Sequence, residues 1–263
     1  MDMELTYIYH SGFALSGDGF TVIMDYYRDS EDGQAQADLN RLMDGTFSNR
    51  EAGMPEGTVH SELLRRPGKL YVLASHFHPD HFNKEVLQWR EQRPDIIYIF
   101  SKDILRHRRA QKEDAVWLKK GEEYKDETLS VRAFGSTDVG VSFLLQASEK
   151  KIFHAGDLNN WHWMDESTEA EWKEAEKNFL HELDDLYAYT PEVDVAMFPV
   201  DPRLGKEYMR GAGQFVTKIK THIFVPMHFT PEYAKANAFR DFAEAHGVRF
   251  VSLTHRGQKI EIE

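Results

Sequence analysis

Residues 75–83 read Ser-His-Phe-His-Pro-Asp-His-Phe-Asn, which sets three imidazoles and a carboxylate within six consecutive positions. The run follows directly on Lys69 to Ser75, a short apolar stretch that predicts a buried strand. Imidazole nitrogen and carboxylate oxygen suit zinc and other divalent first-row ions. In extended backbone, positions 76 and 78 point the same way. The turn enforced by Pro79 can then carry Asp80 and His81 to a neighbouring point, so one segment can serve two ions. A metal site also needs ligands from elsewhere, and that requirement separates this reading from a surface loop rich in histidine.

Strands and helices alternate in both halves of the chain, and each half opens on hairpins. Strand-like runs cover Leu5 to Leu15 and Phe20 to Tyr27, with Ser16-Gly17-Asp18-Gly19 as the turn between them. An irregular, glycine- and proline-interrupted excursion is expected from 28 to 68, with a short helix around Ala37 to Met43. A helix is predicted from Asn83, its N-cap, to about Gln92, followed by a strand from Asp95 to Ser101. Leu129 to Phe134, Val139 to Ala147 and Lys150 to His154 read as a meander turning at Ser148-Glu149. Trp172, Ala175, Phe179, Leu183 and Leu186 recur at helical spacing, which predicts an amphipathic helix from Glu166 to Leu186. Strands at Val193 to Val200 and His222 to Phe229 flank a helix from about Glu207 to Lys218. Thr230-Pro231 is expected to open another helix, closed by Gly247, and a last strand spans Arg249 to Leu253. The order favours an α/β class of mixed sheets with outer helices, in one domain over residues 1–263.

Composition narrows the chemistry. The 263 residues include no cysteine, so disulfides and thiolate ligands are excluded and any metal must rest on His, Asp, Glu or backbone oxygen. A formal net charge of −12 argues against a broad nucleic-acid surface. The local basic run Arg106-His107-Arg108-Arg109 reads as a solvated helix face. No apolar run is long enough to cross a bilayer, and the N-terminus lacks a secretory pattern, so a cytoplasmic location without membrane attachment is expected.

Several motifs resemble the metallo-β-lactamase superfamily, in which His-x-His-x-Asp-His follows a strand. Gly156-Asp157, after Ile152-Phe153-His154-Ala155, is similar to that family's bridging-aspartate motif, and Val225-Pro226-Met227-His228-Phe229 to its final-histidine motif. Tyr9-His10-Ser11-Gly12-Phe13 and Val22-Ile23-Met24-Asp25 resemble the start of the lactonase-like branch, which includes L-ascorbate-6-phosphate lactonase. The resemblance covers the chain apart from 28–68 and implies a four-layer αββα sandwich. It departs from the family at Gly135-Ser136-Thr137, where Ser136 stands at the usual histidine position. Either Asp138, His10 or His154 takes that ligand's place, or one ion alone is held tightly.

The resemblance implies a site with His76 and His78 on one ion, Asp80, His81 and His228 on a second, and Asp157 between them. The cofactor expected is one or two divalent ions, zinc first, with manganese or iron as alternatives. Its reaction is hydrolysis of an ester or lactone of a small metabolite by metal-bound hydroxide, Asp80 orienting the water and His10 joining it as a catalytic group. Asp25 is expected to fix a ligating ring, as outer carboxylates do, and His154 to support the site. Arg203 suits an anionic group of the substrate, with Trp161 and Asn159 beside it. The alternatives are phosphodiester cleavage, with nucleic acid disfavoured by the charge, and a metal-binding protein without catalysis. Family diiron members carry a carboxylate where His78 stands, which disfavours a redox role. A homo-oligomer is compatible with everything above.

Overall fold

The computed structural model describes residues 3–27, 59 and 61–263, and the chain divides into two compact units. The first comprises Met1–Trp117 with Thr254–Glu263, and the second Leu118–Leu253. The helix expected at Ala37 to Met43 lies outside the described residues, as does the excursion around it up to 60, Val59 excepted.

In the first unit, β1 (Met3–Tyr9) and β2 (Gly12–Gly17) pair antiparallel with Leu5 opposite Leu15. The run expected as one strand from Leu5 to Leu15 is therefore two. The chain reverses because His10 takes a left-handed conformation, φ 56°, which a non-glycine residue adopts mainly in tight turns. Its N–H donates to Tyr7 Oη at 3.0 Å, and Gly12 follows where a Cβ would stand 3.0 Å from the Tyr9 carbonyl. β3 (Phe20–Met24) completes the antiparallel part. After α1 (Ser61–Leu64), β4 (Lys69–Ala74) and β5 (Ile97–Ser101) continue the sheet in parallel. Then come α2 (Lys102–Arg106) and β6 (Val116–Leu118).

Asn83 caps a helix as expected, its side chain accepting from Glu85 N–H, but Lys84–Glu91 winds as a 3₁₀ rather than an α-helix. The Val86 carbonyl there receives the Tyr98 hydroxyl at 2.5 Å, in a segment whose own bonds close after three residues. Ile8, Ile23, Val72, Phe82, Trp89 and Phe100 belong to the core of this unit.

The second unit starts with the expected meander: β7 (Glu123–Lys125), β8 (Leu129–Phe134), β9 (Ser142–Ala147) and β10 (Lys150–His154). Ser148 and Glu149 both have positive φ, 47° and 69°, as a two-residue hairpin turn requires. α3 (Glu169–Tyr189) begins where Thr168 and Glu171 form a capping box. Its buried stripe is Phe179, Leu183 and Leu186, so Trp172 and Ala175 stand at its half-buried margin. β11 (Glu192–Pro199), α4 (Arg210–Lys218) and β12 (Lys220–Met227) follow, both strands parallel to β10. The helix expected to open at Thr230-Pro231 starts later, as α5 (Tyr233–Asn237) and then α6 (Arg240–Ala245). A turn intervenes, with Glu232 N–H donating to the Phe229 carbonyl, and the Thr230-Pro231 peptide is cis. β13 is only Arg249–Phe250, and β14 (Lys259–Ile262) returns to the first unit, a strand the sequence patterns did not suggest.

The sheet orders are β14-β1-β2-β3-β4-β5-β6 and β13-β12-β11-β10-β9-β8-β7. Both are mixed, with their parallel strands grouped. Grouping brings the carboxyl ends of parallel neighbours side by side, the usual place for ligand chemistry in such sheets. Within the second unit Phe198 anchors the packing, its ring 4.6 Å from Phe215 and 6.2 Å from both Phe179 and Phe224. Among the described residues no helix is long and apolar enough to cross a membrane.

Phe198 is fully buried, so Phe198→Ala should cost about 3–5 kcal/mol, the usual range for such truncations. Urea unfolding followed by far-UV circular dichroism will show the loss as a lowered midpoint.

Candidate metal centre

In the first unit every predicted side chain comes from a strand end or the loop after it. Asp25 follows β3 directly with φ 45° and is completely buried. Its Oδ1 accepts the Ser75 N–H at 2.7 Å, while Oδ2 accepts the Ser75 hydroxyl at 2.6 Å and faces His81 Nδ1 at 2.7 Å. The carboxylate thus assigns His81 the tautomer with its proton on Nδ1, leaving the Nε2 lone pair to a ligand. Ser75 does the same for His76. Having given its proton to Asp25, its oxygen accepts from His76 Nδ1 at 2.9 Å. His76 Nε2 then lies 3.1 Å from His78 Nδ1. On the other side of His81, Asp80 Oδ2 stands 3.8 Å from His81 Nε2 and 3.4 Å from His10 Nε2. The ligand-type atoms of His10, Asp80 and His81 all lie within 4.8 Å of one another.

The second unit repeats the device. His228, after β12 with φ 62°, has its Nδ1 2.9 Å from Asp201 Oδ2 and its Nε2 3.2 Å from Asp157 Oδ1. Burial alone would lower the His228 pKa, but Asp157 and then Asp201 outweigh it and raise it to about 9. Asp201 responds oppositely. Burial pushes it up, yet His228 and Arg203 hold its carboxyl well below the usual range. Arg203 Nη2 reaches Asp201 at 2.6 Å and His228 Nδ1 at 3.2 Å, and its side chain is 54% exposed. Trp161 donates from Nε1 to the Asp157 carbonyl at 2.8 Å and sets its ring edge-on to His228 at 5.5 Å.

The loop bearing Asp157 is fixed from beneath by residues that sequence reasoning passed over. Asn160 is fully buried and donates from Nδ2 to Gln214 Oε1 at 2.9 Å and Glu176 Oε1 at 3.3 Å. The same Glu176 oxygen accepts from Gln214 Nε2 at 2.5 Å and Arg210 Nε at 2.7 Å. Asn159, expected against substrate, is instead fully buried. Its N–H donates to Thr137 Oγ1 at 3.0 Å, its carbonyl accepts from that hydroxyl at 2.5 Å, and its Oδ1 accepts the Asn160 N–H at 2.9 Å. Gly211 makes room for it, since a Cβ there would stand 2.0 Å from Asn159 Oδ1. Nothing in the local sequence beyond two adjacent amides signalled this role.

Of the substitutes weighed for the ligand lost at Ser136, His154 is buried and its Nδ1 accepts the Gly156 N–H at 3.2 Å, bracing the turn. Asp138 is exposed, its N–H 3.4 Å from Ser136 Oγ. His10 stands with Asp80 and His81.

The donor set fits a divalent ion. Two donors bound at about 2.0–2.1 Å on a tetrahedral ion lie roughly 3.3 Å apart. The separations of 3.1 Å for His76–His78, 3.2 Å for His228–Asp157 and 3.4 Å for His10–Asp80 all fall near that edge length. Both Asp25–His81 and Asp201–His228 are carboxylate–imidazole pairs of the kind that hold metal-ligating rings.

Residues 4–174 match the family model described as a beta-lactamase superfamily domain. The chain belongs to that superfamily. Igni18, a metallo hydrolase of the hyperthermophilic archaeon Ignicoccus hospitalis, is 18% identical with a TM-score of 0.62 over 100% of this chain and 99% of its own. The diiron β-hydroxylase CmlA of Streptomyces venezuelae is 14% identical, TM-score 0.61, over 98% of this chain and 54% of its own. Isothiocyanate hydrolase from Delia radicum gut bacteria is 15% identical, TM-score 0.55, over 98% of each chain. No curated protein sequence matches. At such identities the likeness establishes the fold: the metallo-β-lactamase fold, α/β with two mixed sheets and helices.

Glu176 gives the loop a pH signature. Arg210's hydrogen bond, the largest influence, holds its pKa below the ordinary 4.5 against the opposing effect of burial. A depressed folded value means stabilisation that is complete above about pH 4.5 and lost as pH falls through the folded value. Wild type should exceed Glu176→Gln by about 1–3 kcal/mol at neutral pH. In urea titrations the gap should hold steady from about pH 6 upward and close below pH ~4.

Proposed function

We propose that the chain is a metal-dependent hydrolase that opens an ester or lactone bond of a small metabolite. The observation carrying this reading is the repeated carboxylate–imidazole pair, Asp25–His81 in one unit and Asp201–His228 in the other, each engaging Nδ1 so that Nε2 is the nitrogen left to a metal. Superfamily membership, and metallo hydrolases among the proteins of like fold, support it. His76, His78 and Asp157 would hold one divalent ion, and Asp80, His81 and His228 a second. Three protein donors on the first ion suit the open coordination of a catalytic site, which is how Ser136 in place of a fourth donor is understood. Zinc fits the nitrogen-rich donor set best, and manganese and iron are the other ions it would accept.

A bound divalent ion supplies a Lewis acid for the carbonyl oxygen and lowers the pKa of water to about 7. The chain's own groups do the rest. Asp80 orients the attacking water and accepts its proton. His10 Nε2, 3.4 Å from Asp80 Oδ2, is placed to relay that proton to the leaving alkoxide oxygen. Arg203 offers a guanidinium to a carboxylate or phosphate on the substrate, and Trp161 walls the side next to His228. The lactonase-like opening motif around His10 favours a cyclic ester.

Zinc-, manganese- and iron-loaded protein assayed against a panel of lactones and esters tests the reading. His78→Ala should lower kcat/KM by at least about 100-fold and weaken metal binding, with circular dichroism unchanged. Activity and metal content both untouched by His78→Ala would end the proposal. Asp25→Asn should weaken zinc about 10- to 100-fold in competition with a chromogenic chelator, because His81 loses the group that orients it.

A further inference from the structure

Two of the candidate metal histidines are oriented from Nδ1: Ser75 holds His76 there, and Asp25 holds His81. His78 cannot be held in that way, because the atom it sets 3.1 Å from His76 Nε2 is its own Nδ1. Nδ1 lies nearer the backbone than Nε2 does, so its position follows the main chain at 77 and 78 more tightly. Whatever fixes that stretch of chain therefore fixes a donor atom.

Three contacts meet on the intervening Phe77. Its N–H donates to Asp103 Oδ2 at 2.9 Å. Its ring is stacked on His107, with centroids 3.7 Å apart and planes at 12°. The same ring meets His78 at 4.6 Å and 59°. Asp103 stands in the first turn of α2 and His107 is its C-cap, four residues on, so both address one side of the helix. The His107 N–H donates to the Asp103 carbonyl at 2.8 Å, which ties the two to a single turn. α2 begins directly after β5, and β5 runs parallel to β4 with Phe100 opposite Ala74. The helix and the histidine loop thus leave neighbouring strands side by side.

What Asp103 and His107 do for α2 alone does not explain these contacts. An acidic side chain in a first turn can serve a helix from water. Asp103 instead buries Oδ1 without a hydrogen-bond partner among the described residues, a cost that helix stability does not require. His107 is exposed, in keeping with the solvated basic run around it, yet its ring lies flat on Phe77.

We propose that Asp103 and His107 are positioning residues for His78, clamping Phe77 from α2 so that His78 keeps Nδ1 turned towards His76 Nε2. Both act through Phe77, and the role presupposes the reading above in which His78 is a metal ligand. Asp103 fixes the backbone between the two histidines. His107 fixes the ring against which His78 rests.

The test adds cobalt(II) to the whole metal-free chain and follows its visible absorption and its competition with a chromogenic chelator. Asp103→Ala should weaken cobalt about ten-fold or more and alter the visible band. Asp103→Asn keeps an acceptor for the Phe77 N–H and should restore most of both. His107→Ala changes an exposed side chain, should leave the metal-free melting temperature where it was, and should weaken cobalt a few-fold. His107→Tyr keeps a flat ring for Phe77 and should recover that loss. The cobalt site affected should be the one that His78→Ala removes. Unchanged affinity and spectrum in both alanine variants, with cobalt weakened by His78→Ala, overturns the positioning role alone. So does a loss that falls equally on an ion that survives His78→Ala. Cobalt binding untouched by His78→Ala overturns the positioning role and the metal reading together.

Discussion

A single buried carboxylate organises the first half of the site. Asp25 accepts two hydrogen bonds from Ser75 and one from His81, and with no water at hand each of those bonds is costly to leave unmade. Through them the end of β3 is tied to the end of β4, and two imidazoles receive fixed tautomers. The backbone at Asp25 is left-handed, a conformation that non-glycine residues hold mainly where their surroundings fix it. Asp201 solves the equivalent problem for His228. Two chemically identical solutions, in units that share no part of the chain, argue that orienting the ring matters as much as supplying it.

What the sequence revealed and what it hid follow from distance along the chain. The cluster at 76–81 was legible because its members are neighbours and their spacing carries the message. Asp157 and His228 were legible through the motifs around them. Asp25 was recognisable at a strand end, but its partner could not be, since 56 residues separate it from His81. Asp201 left no such signal, since 27 residues separate it from His228. The Asn160–Glu176–Gln214 network draws on three separate elements and leaves no local pattern at all.

Fold errors have similar origins. One apolar run from Leu5 to Leu15 hid a turn, because His10 and Ser11 are compatible with a strand and only backbone geometry distinguishes them. The 3₁₀ segment Lys84–Glu91 takes a tertiary hydrogen bond from Tyr98 on a different strand, which no local pattern announces. β14 is four residues long, below the length at which alternation is informative. Long, strongly periodic segments such as α3 were read well except at their ends, the start being set by the Thr168 cap.

The pairing of β14 with β1 carries a consequence for biosynthesis. Met3 lies opposite Ile262, and the approach to β14 is stitched to the same strand by Tyr7 N–H to the Gln258 carbonyl and Gly257 N–H to the Tyr7 carbonyl. Arg256 adds a hydrogen bond to the Ile8 carbonyl and covers the Tyr9 ring at 4.5 Å. A ribosome therefore finishes the whole second unit before the first can close its outer edge. Until then β1 presents unpaired amides to any passing strand, and the hairpin that carries His10 lacks its last support.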